Sequence, residues 1–333
     1  MPYLRPLAAA DASLPPPMQG EAMRADQLHV VTARFNPLRW RAPDRHFRDW
    51  VISILDSGAR LTVAEVQYGE RDFTCDLPHV HHVGLRAESW AWSKENALNL
   101  AIQRIPEAKY IVWEDADIFH RSSGWARETV EALQHYRVVQ SWSRALDLGP
   151  NDELIAAHRS FADCYLCGKE LVAPSLGFWK SDGGPYDYPH SGFSWGCRRE
   201  FLDWTGGLFE LGGMGSGDHH MALALVGHVE SSWPAGTAPS YKAHLMRWQE
   251  RARRYVNGRL GVVHGMIEHR FHGRKADRGY LSRWGMFTRH GFDPDTDLKR
   301  NTFGILEWAG NKPELEREWD LYLRSRNEDI NAL

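Results

Sequence analysis

Lys109-Tyr110-Ile111-Val112-Trp113-Glu114-Asp115-Ala116-Asp117 is the stretch on which the fold turns. The run from Lys109 to Trp113 reads as a strand and passes without a break into two carboxylates one residue apart. Open α/β sheets gather their ligands beyond the carboxyl ends of their strands. Two carboxylates placed there repel unless a cation or hydrogen-bond donors sit between them. A divalent metal bridging to a diphosphate meets that need, because hard oxygen donors suit Mg²⁺ and Mn²⁺. The competing reading is a pair of solvated loop acids, or a cap for the following turn.

Upstream, Leu28-His29-Val30-Val31-Thr32 is a short β-rich run ending in Ala33-Arg34-Phe35-Asn36-Pro37. Phe47, Trp50, Val51, Ile54 and Leu55 then recur at helical spacing, with Gly58 where a C-cap is expected. Leu61 to Val66 alternate as a second strand, and Ser93 is placed to cap a helix carrying Ala97, Leu98, Ala101 and Ile102 on one side. Strand, helix, strand, helix, strand is the pattern of a parallel sheet covered by helices. Downstream, the chain from 145 to 195 is loop-rich, including Lys180-Ser181-Asp182-Gly183-Gly184-Pro185. Asp218 to Gly227 read as a helix, and Pro313 to Arg324 as another with Leu315, Trp319 and Tyr322 on its apolar side. With no repeat and no Gly/Ser linker, the expected organisation is a tail over 1–26, one α/β domain over 27–310, and a C-terminal helix over 311–333 packed on it.

The 333 residues carry 40 Lys/Arg and 43 Asp/Glu, a formal charge of −3, which gives no global reason to expect nucleic-acid or membrane binding. No apolar run approaches the roughly 20 residues that span a bilayer. The proline-broken N-terminus does not read as a signal peptide, and four cysteines fit free thiols in a reducing compartment, so a cytoplasmic location is expected. The average hides an asymmetry: Lys242 to Arg300 hold fourteen Lys/Arg against six Asp/Glu. That stretch suggests an anionic ligand held against an acidic body, although a solvated surface has the same composition.

Three further clusters are chemically suggestive. His264, His269 and His272 offer imidazole, a good ligand for Mn²⁺. His269 and His272 face alike only in a helix; in an extended segment they oppose, and a single one can ligate. The glycines from Gly206 to Gly217 let backbone approach a ligand closely, and Asp218 after them is placed as a general base or as a helix cap. The Lys-Ser/Thr ending of a P-loop is absent, and so is a Gly-x-Ser-x-Gly elbow. Cys164-x-x-Cys167 lacks a second ligand pair for zinc, and His79, His81 and His82 read as surface residues. Trp40, Trp92, Trp195 and Trp233 lie in loop-like contexts where a sugar or base can stack.

Taken in order, five segments resemble the β-1,4-galactosyltransferase family of GT-A fold glycosyltransferases and its bacterial and phage relatives. They are Ala33-Arg34-Phe35-Asn36, Trp92-Ser93-Lys94-Glu95-Asn96-Ala97-Leu98-Asn99, Trp113 to Asp117, the block from Ser191 to Trp195 with Phe201 and Gly206 to Asp218, and Met266-Ile267-Glu268-His269. The resemblance implies a Rossmann-like, mixed, mostly parallel sheet flanked by helices, with a loop-rich acceptor side. It implies an inverting, Mn²⁺- or Mg²⁺-dependent transfer from a UDP-sugar donor. Asp117 would bind the metal with His269 or His272 completing the coordination. Asp115 would lie near the ribose or the metal, and Arg34, Phe35 and Asn36 at the nucleobase. Thr32, Lys94, Trp195 and Gly215 would join the donor site, and Asp218 would be the catalytic base. Met214 stands where the family has tryptophan and Gly217 where it has glutamate; with Ser216 they fall on the acceptor side, so the acceptor does not carry over. A glycan and a hydroxymethylated base in phage DNA both fit the loop tryptophans and the basic stretch. A nucleotide-sugar hydrolase or nucleotidyltransferase, and a non-catalytic glycan- or DNA-binding module, are the competing classes. Nothing points to a membrane span or an obligate protein partner.

Overall fold

The computed structural model describes residues 24–172, 189–279 and 282–329; most of the tail over 1–26 and the loop expected at Lys180 to Pro185 lie outside the described residues. The chain opens with β1 (Leu28–Phe35), α1 (Arg41–Asp56), β2 (Arg60–Tyr68), β3 (Val80–Ala87), α2 (Lys94–Gln103) and β4 (Tyr110–Glu114). Next come β5 (Ile118–His120), α3 (Trp125–His135), β6 (Val138–Gln140), β7 (Arg144–Leu148), β8 (Leu154–Arg159) and α4 (Phe161–Leu166). Then follow β9 (Ser194–Arg198), α5 (Arg199–Thr205), α6 (Gly217–Leu225), α7 (Pro239–Val256), β10 (Leu260–Val262) and β11 (Met266–His269). The last are α8 (Ser282–Arg289), α9 (Pro294–Asp297), β12 (Leu298–Arg300), β13 (Leu306–Trp308) and α10 (Pro313–Ser325).

Seven strands form one sheet in the order β10-β6-β9-β4-β1-β2-β3. β9 runs antiparallel to both neighbours, and every other pairing is parallel. The protein is thus an α/β fold with a mixed, mostly parallel sheet flanked by helices. Strands buried on both faces must be apolar on both, and β1 shows how the two faces divide. Leu28 and Val30 point into a core shared with Phe47, Trp50 and Ile54 of α1 and Val130 of α3. Val31 points to the opposite core, which holds Ala97, Leu98 and Ala101 of α2 and extends to Trp319 of α10. Full burial of a side chain such as Leu28, Val30 or Val31 contributes about 1.5–3 kcal/mol.

Helix ends follow the sequence with three corrections. α1 ends at Asp56 with Ser57 as its C-cap, and Gly58, expected at the cap itself, follows one residue later in a left-handed conformation (φ +81°). Ser93 does occupy the N-cap of α2, yet its side chain makes no capping bond. α6 begins at Gly217, one residue earlier than expected, so Asp218 lies inside the first turn and is not the cap. What fixes α2 is its buried amides: Asn99 Oδ1 accepts from Leu208 N (2.8 Å), and Asn96 Oδ1 accepts from Leu306 N (2.8 Å). Gly207 (φ +98°) is required there, since a Cβ would meet Asn99 Oδ1 at 2.7 Å.

A second sheet, ordered β5-β11-β7-β8, stands at the carboxyl end of β4. β5 continues β4 after only Asp115, Ala116 and Asp117, and pairs antiparallel with β11 so that Ile118 faces His269. This register carries the imidazoles to the acidic pair. Among the described residues no helix is long and apolar enough to cross a membrane.

Candidate active site

Asp115 and Asp117 leave the end of β4 at the edge of a cavity of about 270 Å³. The backbone is pinned on both sides: Asp115 N donates to Phe193 O (2.8 Å), and Arg270 N donates to Asp117 O (2.9 Å). His272 Nε2 lies 2.7 Å and His269 Nε2 3.6 Å from Asp117 Oδ2. One ligand atom from each of Asp117, His269 and His272 can be chosen so that all lie within 4.8 Å of one another. The choice posed by the three-residue spacing is therefore too narrow. β11 stops at His269, the chain turns through Arg270 and Phe271, and both rings reach the same carboxylate. His264, by contrast, is exposed.

The electrostatics of this cluster are those of a built site. Burial acts to raise the Asp117 carboxyl, yet the His269 and His272 rings hold it well below the usual carboxylate range. Burial likewise acts to lower His269, but Asp117 and Asp147 push it up to about 9. Two observations fit a divalent ion here. Asp117 Oδ1 is buried and takes no hydrogen bond among the described residues, which is costly for an ionised oxygen. His272 Nε2 faces both the Asp117 carboxylate and Arg278 Nη2 (2.8 Å), and one ring nitrogen cannot donate to the first while accepting from the second. Two imidazoles and a carboxylate form a donor set suited to Mn²⁺ and similar ions.

Next to the cluster, Lys94 of α2 binds the Asp115 carboxylate. Burial would lower this ammonium, but Asp115, Glu95 and Asp218 together raise it. Burial raises Asp115, against the pull of Lys94. Asp218 sits half-buried on the cavity wall. Ser216 lies beside it, its hydroxyl accepting from Arg283 Nη2 (2.7 Å).

The cavity thus brings together Arg34, Phe35, Asn36, Lys94, Asp115, Asp117, Ser216, Asp218 and His272 from the residues that the sequence singles out, with His269 directly behind Asp117. Trp40 and Trp92 line it too, and Trp92 meets Phe35 edge-on at 5.0 Å. Asn36 uses its amide to clasp the Trp40 backbone at 2.7 and 2.9 Å. Arg34 lies over the Phe47 ring and pairs with Asp44 (2.8 Å).

Other expectations are corrected. Trp195 is no loop residue: it lies in β9 opposite Trp113, 3% exposed, with Nε1 donating to Ser191 O (2.7 Å). Thr32 is buried and its hydroxyl ties β1 to Glu114 O (2.7 Å). Gly215 and Gly217 form backbone behind the wall, and Met214 packs in the core, 1% exposed. His82 is not a bare surface residue, since Nε2 lies 3.0 Å from the buried Glu65. The basic stretch does not gather into one face. Arg270 turns to Asp152, Arg289 to Glu318 and Arg300 to Glu210, while Arg278 and Arg283 line the cavity.

Sequence reasoning missed the far end of the chain. Leu323, Arg326 and Glu328 line the same cavity, and Glu328 Oε2 lies 3.5 Å from His272 Nδ1. Asp329 Oδ1 accepts from the first amides of α1, Arg41 N (2.7 Å) and Ala42 N (2.9 Å). Glu95 was missed as well, although it stands next to Lys94.

No family model matches the sequence, and no curated protein does. Solved structures with a related arrangement include the catalytic domain of Drosophila β1,4-galactosyltransferase 7 in complex with xylobiose. That match is at 12% identity and TM-score 0.39, over 88% of this chain and 97% of that one. Another is a protein from Desulfovibrio desulfuricans G20 described as a nucleotide-diphospho-sugar transferase, at 10% identity and TM-score 0.32, over 90% and 98% of the two chains. Figures this low transfer no residue's role.

Proposed function

We propose that this protein is a metal-dependent, inverting glycosyltransferase that moves a sugar from a nucleoside diphosphate to an acceptor hydroxyl, with UDP-sugars as the expected donors. The carrying observation is the convergence of Asp117, His269 and His272 at the rim of a cavity that Asp218 also lines. Asp117, His269 and His272 would hold Mn²⁺, which imidazole donors favour over Mg²⁺. Bound there, a divalent ion supplies charge neutralisation to a diphosphate leaving group.

The chain's own residues account for the rest. Lys94, Arg278, Arg283 and Arg326 line the same cavity as the acidic pair and Asp218, giving an anionic ligand positive partners. Trp40, Trp92 and Phe35 offer flat apolar surface for a base or sugar ring. Among the described residues no side chain or amide donates to the Asp218 carboxylate, so it is free to accept the proton of an attacking hydroxyl. The acceptor oxygen bonds to the anomeric carbon, the bond to the diphosphate breaks, and that electron pair leaves with the nucleoside diphosphate. General-base assistance of this kind is worth about 10²–10⁴-fold.

The test is release of nucleoside diphosphate across several nucleotide-sugars and acceptor classes with Mn²⁺, with the product identified by mass. Asp117→Ala should lose donor turnover while retaining the wild-type circular dichroism. Full activity in excess chelator would remove the metal from the reading. Free sugar released without acceptor dependence would mark a hydrolase.

A further inference from the structure

We propose that Glu95 is an acceptor-binding residue, its carboxyl holding one hydroxyl of a carbohydrate whose neighbouring hydroxyl faces Asp218. This rests on the glycosyltransferase reading of the same cavity.

Glu95 is the second residue of α2, 4% exposed, and lines the cavity together with Asp218. The two carboxyls come from different elements but share one wall because Gly217 has no side chain. A Cβ built at Gly217 would lie 2.5 Å from the Glu95 carboxyl carbon. The carboxyl therefore fills the space that a side chain at 217 would take, immediately beside Asp218. Among the described residues no other side chain is hydrogen-bonded to it. Lys94, the adjacent cation, is committed to Asp115.

A buried carboxyl without a partner side chain is unfavourable by itself. Its position on a cavity wall gives it a partner when a polyhydroxylated ligand is bound. Burial pushes Glu95 up to about 7, so near neutrality it is able either to donate or to accept a hydrogen bond. Two carboxyls side by side match vicinal hydroxyls of a sugar ring, and Trp92 on the same wall offers the ring a face. A lone hydroxymethyl group has nothing to offer the second carboxyl, so a modified DNA base is the poorer fit. The alternative role for Glu95, a negative charge at the N-terminus of α2, is purely structural.

The test is saturation-transfer NMR with methyl glycosides of xylose, glucose, galactose and N-acetylglucosamine. It is run with UDP and Mn²⁺ present, alongside single-stranded DNA containing 5-hydroxymethylcytosine. Wild-type protein should bind at least one glycoside, and Glu95→Ala should weaken that binding roughly tenfold or more. Glu95→Gln, which keeps the shape, should fall between. The double variant Glu95→Ala/Gly217→Glu returns a carboxyl to the same space from α6 and should restore binding to within about threefold of wild type. A structural role at α2 predicts no such restoration, and its absence would overturn the proposal. So would unchanged binding in Glu95→Ala, or binding of the DNA but of no glycoside. If glycosides bind through Glu95 while no nucleotide-sugar is turned over, the transferase reading fails and the sugar site stands.

Discussion

Asp147 spans two imidazoles, with Oδ1 2.8 Å from His269 Nδ1 and Oδ2 2.5 Å from His158 Nε2. All three residues are buried. A carboxylate behind a ligating histidine fixes the ring's orientation and raises its basicity, and losing such a partner costs about 10–100-fold in metal affinity. Asp147→Asn is therefore expected to weaken Mn²⁺ binding by that factor in calorimetric titration, with Asp117, His269 and His272 all intact. Equal affinities for variant and wild type would show that Asp147 serves packing alone.

Asp218→Asn keeps the size of the side chain and removes its basicity. Transfer should fall by about 10²–10⁴-fold, while UDP binding stays within about twofold, since the amide retains the shape of the wall. A variant with wild-type kcat would shift the proton acceptor elsewhere.

His29 sets part of the acid limit of stability. It is 6% exposed in β1, its Nε2 meets Thr62 Oγ1 at 2.6 Å, and burial lowers its pKa to about 4. Between the ordinary value of 6.5 and about 4, the unfolded chain binds a proton that the folded chain refuses. Stability accordingly falls as pH drops through that window and is unaffected above it, by about 3 kcal/mol at the lower end. Urea unfolding at pH 7.5 and pH 4.5 should show a smaller loss for His29→Gln than for wild type. Identical losses would assign the acid limit to other groups.

Trp319 ties α10 to the rest of the fold. It is fully buried, lies 5.6 Å from the Phe287 ring, and donates Nε1 to Trp90 O (2.7 Å). Trp319→Ala should cost about 3–5 kcal/mol in a single cooperative urea transition. A cost below about 1 kcal/mol, or two separate transitions, would make α10 an independent appendage.

The parts of this fold that were legible are those whose signals are periodic and local. Leu28 to Thr32, Phe47 to Leu55 and Lys109 to Trp113 repeat at strand or helix spacing and lie where that spacing places them. Trp195 closes a stretch that reads as loop-rich, whereas tertiary pairing places it in an inner strand between β4 and β6. The His269–His272 pair could not be resolved from spacing, because the decisive fact is where β11 stops. Glu95 and Glu328 owe their positions to contacts distant in sequence, Gly217 for the first and His272 for the second. No pattern within a short window encodes either.

The stretch from Arg326 to Asp329 reaches back to both the His272 ring and the opening amides of α1. A ribosome releases Asp117 long before it releases Glu328. During synthesis the pocket therefore cannot be completed until Glu328 and Asp329 have emerged. A tag fused close behind Asp329 would burden the very residues that complete it.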